Sequence, residues 1–210
     1  MARDLHVIDH PLVQHKLTLL RNKQLSTRGF RLLTQEIGAL LAYEIMRDAP
    51  LKPVTVETPI GTAQGVELDG KKQVLVTILR AGLGVLDGML TVLPSARVGH
   101  IGLYREPRLR TAVEYYLKLP RDMPQRDVIV ISSVLASGGS ATAAVRRVAE
   151  TAPRSIKFAC LIACREGVER FHEEYPEVPI FTCAVDAELD ARGFIVPGLG
   201  DVGDRLYGTE

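Results

Sequence analysis

The sequence predicts an α/β fold built on an open parallel sheet flanked by helices. Three observations lead there. Short, nearly continuous apolar runs at 73–79 (QVLVTIL), 127–131 (DVIVI) and 158–163 (FACLIA) have the composition of strands buried on both faces. Helical stretches at 83–93, 140–151 and 166–175 lie between and after them, and such alternation implies right-handed crossovers and a parallel sheet. The 210 residues, 46% hydrophobic and 24% charged, suffice for a single domain over 1–210 with a real core.

Taken in order, residues 30–47 carry Leu33, Ile37, Leu40, Leu41 and Ile45 at helical spacing, and the run ends before Pro50. Residues 54–60 and 63–68 alternate like the strands of a small half-exposed sheet. The buried runs then begin, with 98–104 (VGHIGLY) and 180–185 (IFTCAV) as further strands. His100 sits inside one of them, where a packed core histidine is the expected role. In open parallel sheets the ligand site lies at the carboxyl ends of the strands, so the loops after the buried runs are where chemistry is sought.

Composition narrows the function classes. Twenty-six Lys and Arg against 25 Asp and Glu leave a net charge of +1, so no global field favours nucleic acid or an anionic membrane. The cysteines are Cys160, Cys164 and Cys183, an odd number without a CxxC pair, and they fit buried reduced thiols in a cytoplasmic protein. The N-terminal MARDLHVIDHP lacks the apolar core of a signal peptide, and no apolar run approaches the ~20 residues that span a bilayer.

The most informative loop follows 127–131 and reads Ser132, Ser133, Val134, Leu135, Ala136, Ser137, Gly138, Gly139, Ser140, with a helix starting at once. Glycines let main-chain N–H groups approach a ligand, serines add hydroxyls, and the helix adds unpaired N–H groups and the positive end of its dipole. Together they make a cup for a phosphate, although an ordinary serine-capped helix after a glycine turn leaves the same pattern. The loop itself is neither a Walker A loop, since no Gly-Lys-Ser/Thr follows, nor a GxGxxG fingerprint. A second loop holds Arg80, Ala81, Gly82 and Gly84, and its guanidinium suits another anionic group as well as it suits a surface ion pair. A third, from Arg105 through Pro107, Arg108 and Arg110, reads as a solvated charged loop or a lid. One cup and two arginine loops suggest a ligand with two separated phosphate groups. The stretch 193–205 packs four glycines, Pro197, Asp201 and Asp204 into thirteen residues, which excludes helix and central strand and leaves main-chain groups to read the edge of a small heterocycle.

These segments resemble the uracil phosphoribosyltransferase family along essentially the whole chain. The resemblance is carried by VIDHPLVQHKLTLLR, ETPIG, ILRAGLGVLDG, VGHIGLYREP, VEYYLKLP, LASGGSA, LIACREGV and FIVPGLGDVGDRLYGT. It implies a type I phosphoribosyltransferase fold with a small hood from the N- and C-terminal segments. It implies formation of UMP and pyrophosphate from uracil and 5-phosphoribosyl 1-diphosphate (PRPP), with Mg²⁺ bound on the diphosphate. By position, Ser132–Ser140 would bind PRPP, with Ala136–Ser140 on the 5-phosphate, Arg80 and Arg105 would face the diphosphate, Ile195, Gly200 and Val202 would contact uracil, and Asp201 would sit beside PRPP and base. No catalytic residue and no protein metal ligand are assigned. A homodimer or higher oligomer and GTP as an effector are implied, with no nucleic acid and no membrane partner.

The chain departs from the family's Asp-Pro-Met-Leu-Ala-Thr-Gly-Gly-Ser at the cup. Ser132 replaces the Asp, Ser133 the Pro and Ser137 the Thr, and the carboxylate that accepts from the ribose hydroxyls is absent. Phe194 stands for Tyr, and Arg165 for Pro. The alternative this raises is a regulatory protein that senses PRPP or nucleotides on the same fold without turnover.

Overall fold

The computed structural model describes residues 4–105 and 112–209. The side chain of Arg105 and the segment from Glu106 to Thr111, including the proposed lid, lie outside the described residues. The first half runs β1 (Leu5–Val7), α1 (Pro11–Arg21), α2 (Thr27–Ile45), β2 (Leu51–Thr58), β3 (Gly61–Leu68), β4 (Val74–Leu79), α3 (Gly82–Val92), β5 (Arg97–Arg105) and β6 (Ala112–Lys118). There follow β7 (Asp127–Ile131), β8 (Val134–Leu135), α4 (Gly139–Ala149), β9 (Ser155–Cys160), β10 (Ile162–Cys164) and α5 (Arg165–Glu174). The chain closes with β11 (Ile180–Thr182), β12 (Val185–Asp186), β13 (Glu188–Leu189), β14 (Ile195–Val196) and α6 (Val202–Tyr207).

Seven strands form the main sheet in the order β1-β11-β9-β7-β4-β5-β6, all pairs parallel except β5 with β6. The strand period of two divides its side chains between two cores. Leu75, Ile129 and Ile131 face α2 and α3, whereas Val74, Val76, Val128 and Val130 face α4 and α5. Burial on both faces is what the continuous apolar runs required. Between α2 and α3, Gly38 and Gly88 let the backbones touch: a Cβ on either would collide with the carbonyl of Val85 or of Gln35.

Several expectations are corrected. The first long helix starts at Thr27, because Ser26 accepts from Gly29 N–H and caps a polar first turn without apolar periodicity. Helix α1, capped by His10 with Pro11 behind it, and the edge strands β1 and β6 were not in the sequence-based set of elements. The hairpin β2–β3 is exposed on both faces rather than half-exposed. The runs 158–163 and 180–185 are not single strands. Strands β7, β9 and β11 each break and resume as β8, β10 and β12 in a second parallel sheet. Leu161 N–H donates to Ser133 C=O (3.0 Å) and Cys183 N–H to Leu161 C=O (3.0 Å), so the breaks are stitched together. This carries the loop after β7 beyond the sheet while keeping it anchored.

Candidate functional site

The loop between β7 and α4 is therefore partly strand. Val134 and Leu135 form β8, and the Leu135 side chain is buried in the core. Ser132 donates its hydroxyl to Val134 C=O (3.0 Å), and Ser133 is buried beneath it. Gly138 takes φ 82°, the left-handed region closed to most side chains, and turns the chain into α4 without a side-chain cap. The two glycines are not equivalent. Only Gly138 needs its left-handed angle; at Gly139 a Cβ would meet nothing nearer than Arg170 Nη1 at 4.0 Å. The N–H groups of Ser137, Gly138, Gly139 and Ser140 donate to no other described residue. A row of free amides at the positive end of a helix dipole is an anion cup.

A cleft of about 250 Å³ joins this cup, from Ser132 to Ala141, with the Arg80–Gly82 turn, Leu103 and Gly193. The Leu79–Arg80 peptide is cis. Arg80 is 58% exposed, with Nη2 3.9 Å from Asp204 Oδ1 and its guanidinium 5.6 Å from the centre of the Tyr207 ring. Tyr207 donates its hydroxyl to Arg80 C=O at 3.0 Å. Burial and the Asp87 carboxylate push the Tyr207 phenol up, with Arg80 and Arg31 opposing.

A second cleft, about 540 Å³, is lined in part by Asp204 and Arg205 of α6. Its walls include Arg21, Lys23, Arg205, Pro197, Gly200 and Asp201. Gly200 has φ 69°, and neither its N–H nor its C=O is hydrogen-bonded among the described residues. Ile195 pairs with Leu189 in a two-stranded ladder and its side chain is buried; Val202 is buried too, so either would face a ligand only through its main chain. Asp201 lies in this second cleft and caps α6 by accepting from Asp204 N–H (2.9 Å). Helix α6 corrects the exclusion of helix from 193–205: the glycines that break structure precede Asp201, and a good cap starts a helix despite Gly203.

Sequence reasoning missed what holds this loop. Arg21, at the end of α1, makes two hydrogen bonds to Asp186 (2.7 and 2.8 Å) and a third to Gly198 C=O (2.9 Å). Gly198 N–H donates to Asp186 Oδ2 (3.0 Å). Arg205 bonds Leu199 C=O (2.9 Å) and Asn22 C=O (2.6 Å), with its guanidinium 4.2 Å from the centre of the Phe30 ring, and burial lowers its pKa. The hood of the resemblance is this junction of α1 with the C-terminal stretch. Arg21 and Asp186 are 165 positions apart, so no local pattern announces the pair. All three cysteines are buried, and burial pushes the Cys160 thiol up to about 12 and raises Cys183 as well.

The family model described as uracil phosphoribosyltransferase matches residues 7–209. A uracil phosphoribosyltransferase of Rhodococcus jostii (strain RHA1) is 58% identical over 205 residues, 98% of each chain. That of Legionella pneumophila (strain Lens) is 57% identical over 97% of this chain and 95% of its own. Among solved structures, the AQ2163 protein from Aquifex aeolicus superposes with a TM-score of 0.93 at 37% identity, covering 98% of this chain and 99% of its own. An adenine phosphoribosyl transferase from Trypanosoma brucei, solved with AMP, pyrophosphate and ribose-5-phosphate, gives a TM-score of 0.60 at 13% identity over 88% of this chain and 85% of its own, a likeness of fold alone.

Proposed function

The chain belongs to the uracil phosphoribosyltransferase family, and on that premise we propose how its two clefts form UMP and pyrophosphate from uracil and PRPP. The observation that carries the assignment is the place of Arg80, which lines the cup's cleft and touches the helix that rises from the second. A ligand with a phosphate at one end and a diphosphate at the ribose carbon spans such a site. The 5-phosphate sits in the cup, on the free amides of Ser137–Ser140. The diphosphate faces Arg80, the family resemblance alone adds Arg105, and the base lies against Gly200.

Breaking the bond to the anomeric carbon leaves positive charge on the ribose and negative charge on the departing diphosphate. Arg80 stabilises the second, and the cup fixes the far end of the sugar so that the base nitrogen is aligned with the carbon. Among the described residues no three His, Cys, Asp or Glu side chains converge to hold a metal. Mg²⁺ is read as part of the substrate, carried on the diphosphate, as the family resemblance implies. Uracil presents O2, N3–H and O4 as acceptor, donor and acceptor. The open N–H and C=O of Gly200 offer main-chain partners to that edge, whereas cytosine reverses it at two positions and would leave buried groups unpaired, at about 1–3 kcal/mol each. Asp201 sits beside PRPP and the base.

The proposal extends to a homodimer or higher oligomer. Its support is the β2–β3 hairpin, which exposes Val56, Val66 and a fully exposed Ile60, apolar surface that a second copy would cover. GTP as an effector rests on the family resemblance alone. Three buried thiols support a cytoplasmic setting, and among the described residues no helix is long and apolar enough to cross a membrane.

The test is direct. Purified protein with uracil, PRPP and Mg²⁺ should release UMP and pyrophosphate in equal amounts, with cytosine inert. PRPP binding without any UMP would favour the sensing protein instead.

A further inference from the structure

We propose that Tyr207 is a positioning residue for Arg80, setting how the guanidinium meets the diphosphate of PRPP. The inference rests on the reading of Arg80 given above. Arg80 leaves the carboxyl end of β4, and its side chain is more than half exposed, so the turn alone does not fix it. A long exposed side chain carries rotamer freedom that binding must remove. Two of the features that restrain it come from Tyr207. The phenol donates to Arg80 C=O at 3.0 Å and pins the backbone from which the side chain springs. The ring lies under the guanidinium at 5.6 Å and favours one direction for it by cation–π attraction. Asp204, one turn earlier on α6, adds a carboxylate at 3.9 Å, too long for a hydrogen bond and so a bias rather than a competitor.

Helix α6 also starts at Asp201, beside Gly200. The helix that begins at the base loop thus ends on the arginine of the other cleft. Tyr207 touches neither substrate in this arrangement; it acts through Arg80, by preorganising it.

Steady-state kinetics of Tyr207→Phe, Tyr207→Leu and Arg80→Gln decide the matter. Tyr207→Phe keeps the ring and loses only the hydroxyl. It should raise the KM for PRPP and the inhibition constant of pyrophosphate roughly two- to tenfold, the range of one hydrogen bond. The KM for uracil and the melting temperature should not move. Tyr207→Leu, which also loses the ring, should shift both diphosphate constants further. In an Arg80→Gln background, Tyr207→Phe should add nothing, since there is no guanidinium left to orient. Unchanged PRPP constants in Tyr207→Phe overturn the proposal. So does an equal rise for uracil, or a full additional effect in the Arg80→Gln background, either of which marks a merely structural residue. If Arg80→Gln itself leaves PRPP and pyrophosphate constants unchanged, the assignment of Arg80 fails first, and this inference with it.

Discussion

The proposed phosphate cup at 132–140 and the proposed base loop at 197–201 both leave main-chain groups open, and they are held in place in opposite ways. The cup is assembled from its own neighbourhood. A two-residue strand anchors it, one left-handed glycine turns it, and the helix that supplies its field begins at the next residue. The loop at 197–201 has no regular structure of its own. Arg21 and Asp186 fix Gly198, and Arg205 fixes Leu199, through partners as far as 177 positions away. In the first region folding leaves the amides of Ser137–Ser140 open together. In the second, folding has already engaged both main-chain groups of Gly198 and the carbonyl of Leu199, and Gly200 is left open beside them. Changes in the cup should therefore strike binding and spare the fold, whereas changes in the clamps should strike both.

The largest expected effect is Gly139→Val. The branched side chain would stand where a phosphate approaches, yet the protein itself leaves that space open, and Gly139 is not left-handed. Calorimetry should detect no PRPP binding while the melting temperature changes little. A folded variant that binds PRPP normally would show that the cup is not the phosphate site. Gly138→Val is the control, since φ 82° and Gly167 C=O at 3.2 Å from the new Cβ should make it destabilising.

Gly200→Pro removes an N–H and forbids φ 69°. Uracil affinity should fall about a hundredfold, the counterpart of roughly 3 kcal/mol, with PRPP affinity retained. Equal loss for both ligands would mean that the two clefts are not separate readers.

Asp186→Ala sharpens the contrast from the other side. It leaves Arg21 and Gly198 N–H without their buried acceptor, and stability should drop by about 3 kcal/mol, with uracil KM rising more than that of PRPP. Thermal melts and kinetics read the two halves; full stability would show the clamp to be dispensable.

The smallest effect belongs to Ser132→Asp. Ser132 donates to Val134 C=O, and a carboxylate cannot, so the new side chain should turn from that carbonyl toward the cleft and accept from ribose hydroxyls. PRPP should bind up to about tenfold tighter, the value of a charge-assisted bond. Weaker binding would mean that the cup is built around serine.

Sequence alone determined the sheet, because burial on both faces leaves runs such as Val74–Leu79 and Asp127–Ile131 without polar interruptions. It also marked out Ser132–Ser140 as a candidate cup, since the stretch is contiguous and its glycines, serines and following helix act locally, while an ordinary capped helix shares the same pattern. It did not reveal that of the cup's two glycines only Gly138 bends left-handed, or that the runs 158–163 and 180–185 break into a second sheet, because an apolar composition persists across the breaks. Helix α6 escaped for a related reason: the glycines and proline before Asp201 mask a cap whose partner is three residues on. Only the tertiary structure decided what holds the base loop and what holds Arg80. Arg21 with Asp186, Arg205 with Asn22 and Tyr207 with Arg80 are pairs of ordinary residues joined across 127 to 183 positions. An ion pair or hydrogen bond is defined by distance in space, and a sequence records distance only along the chain.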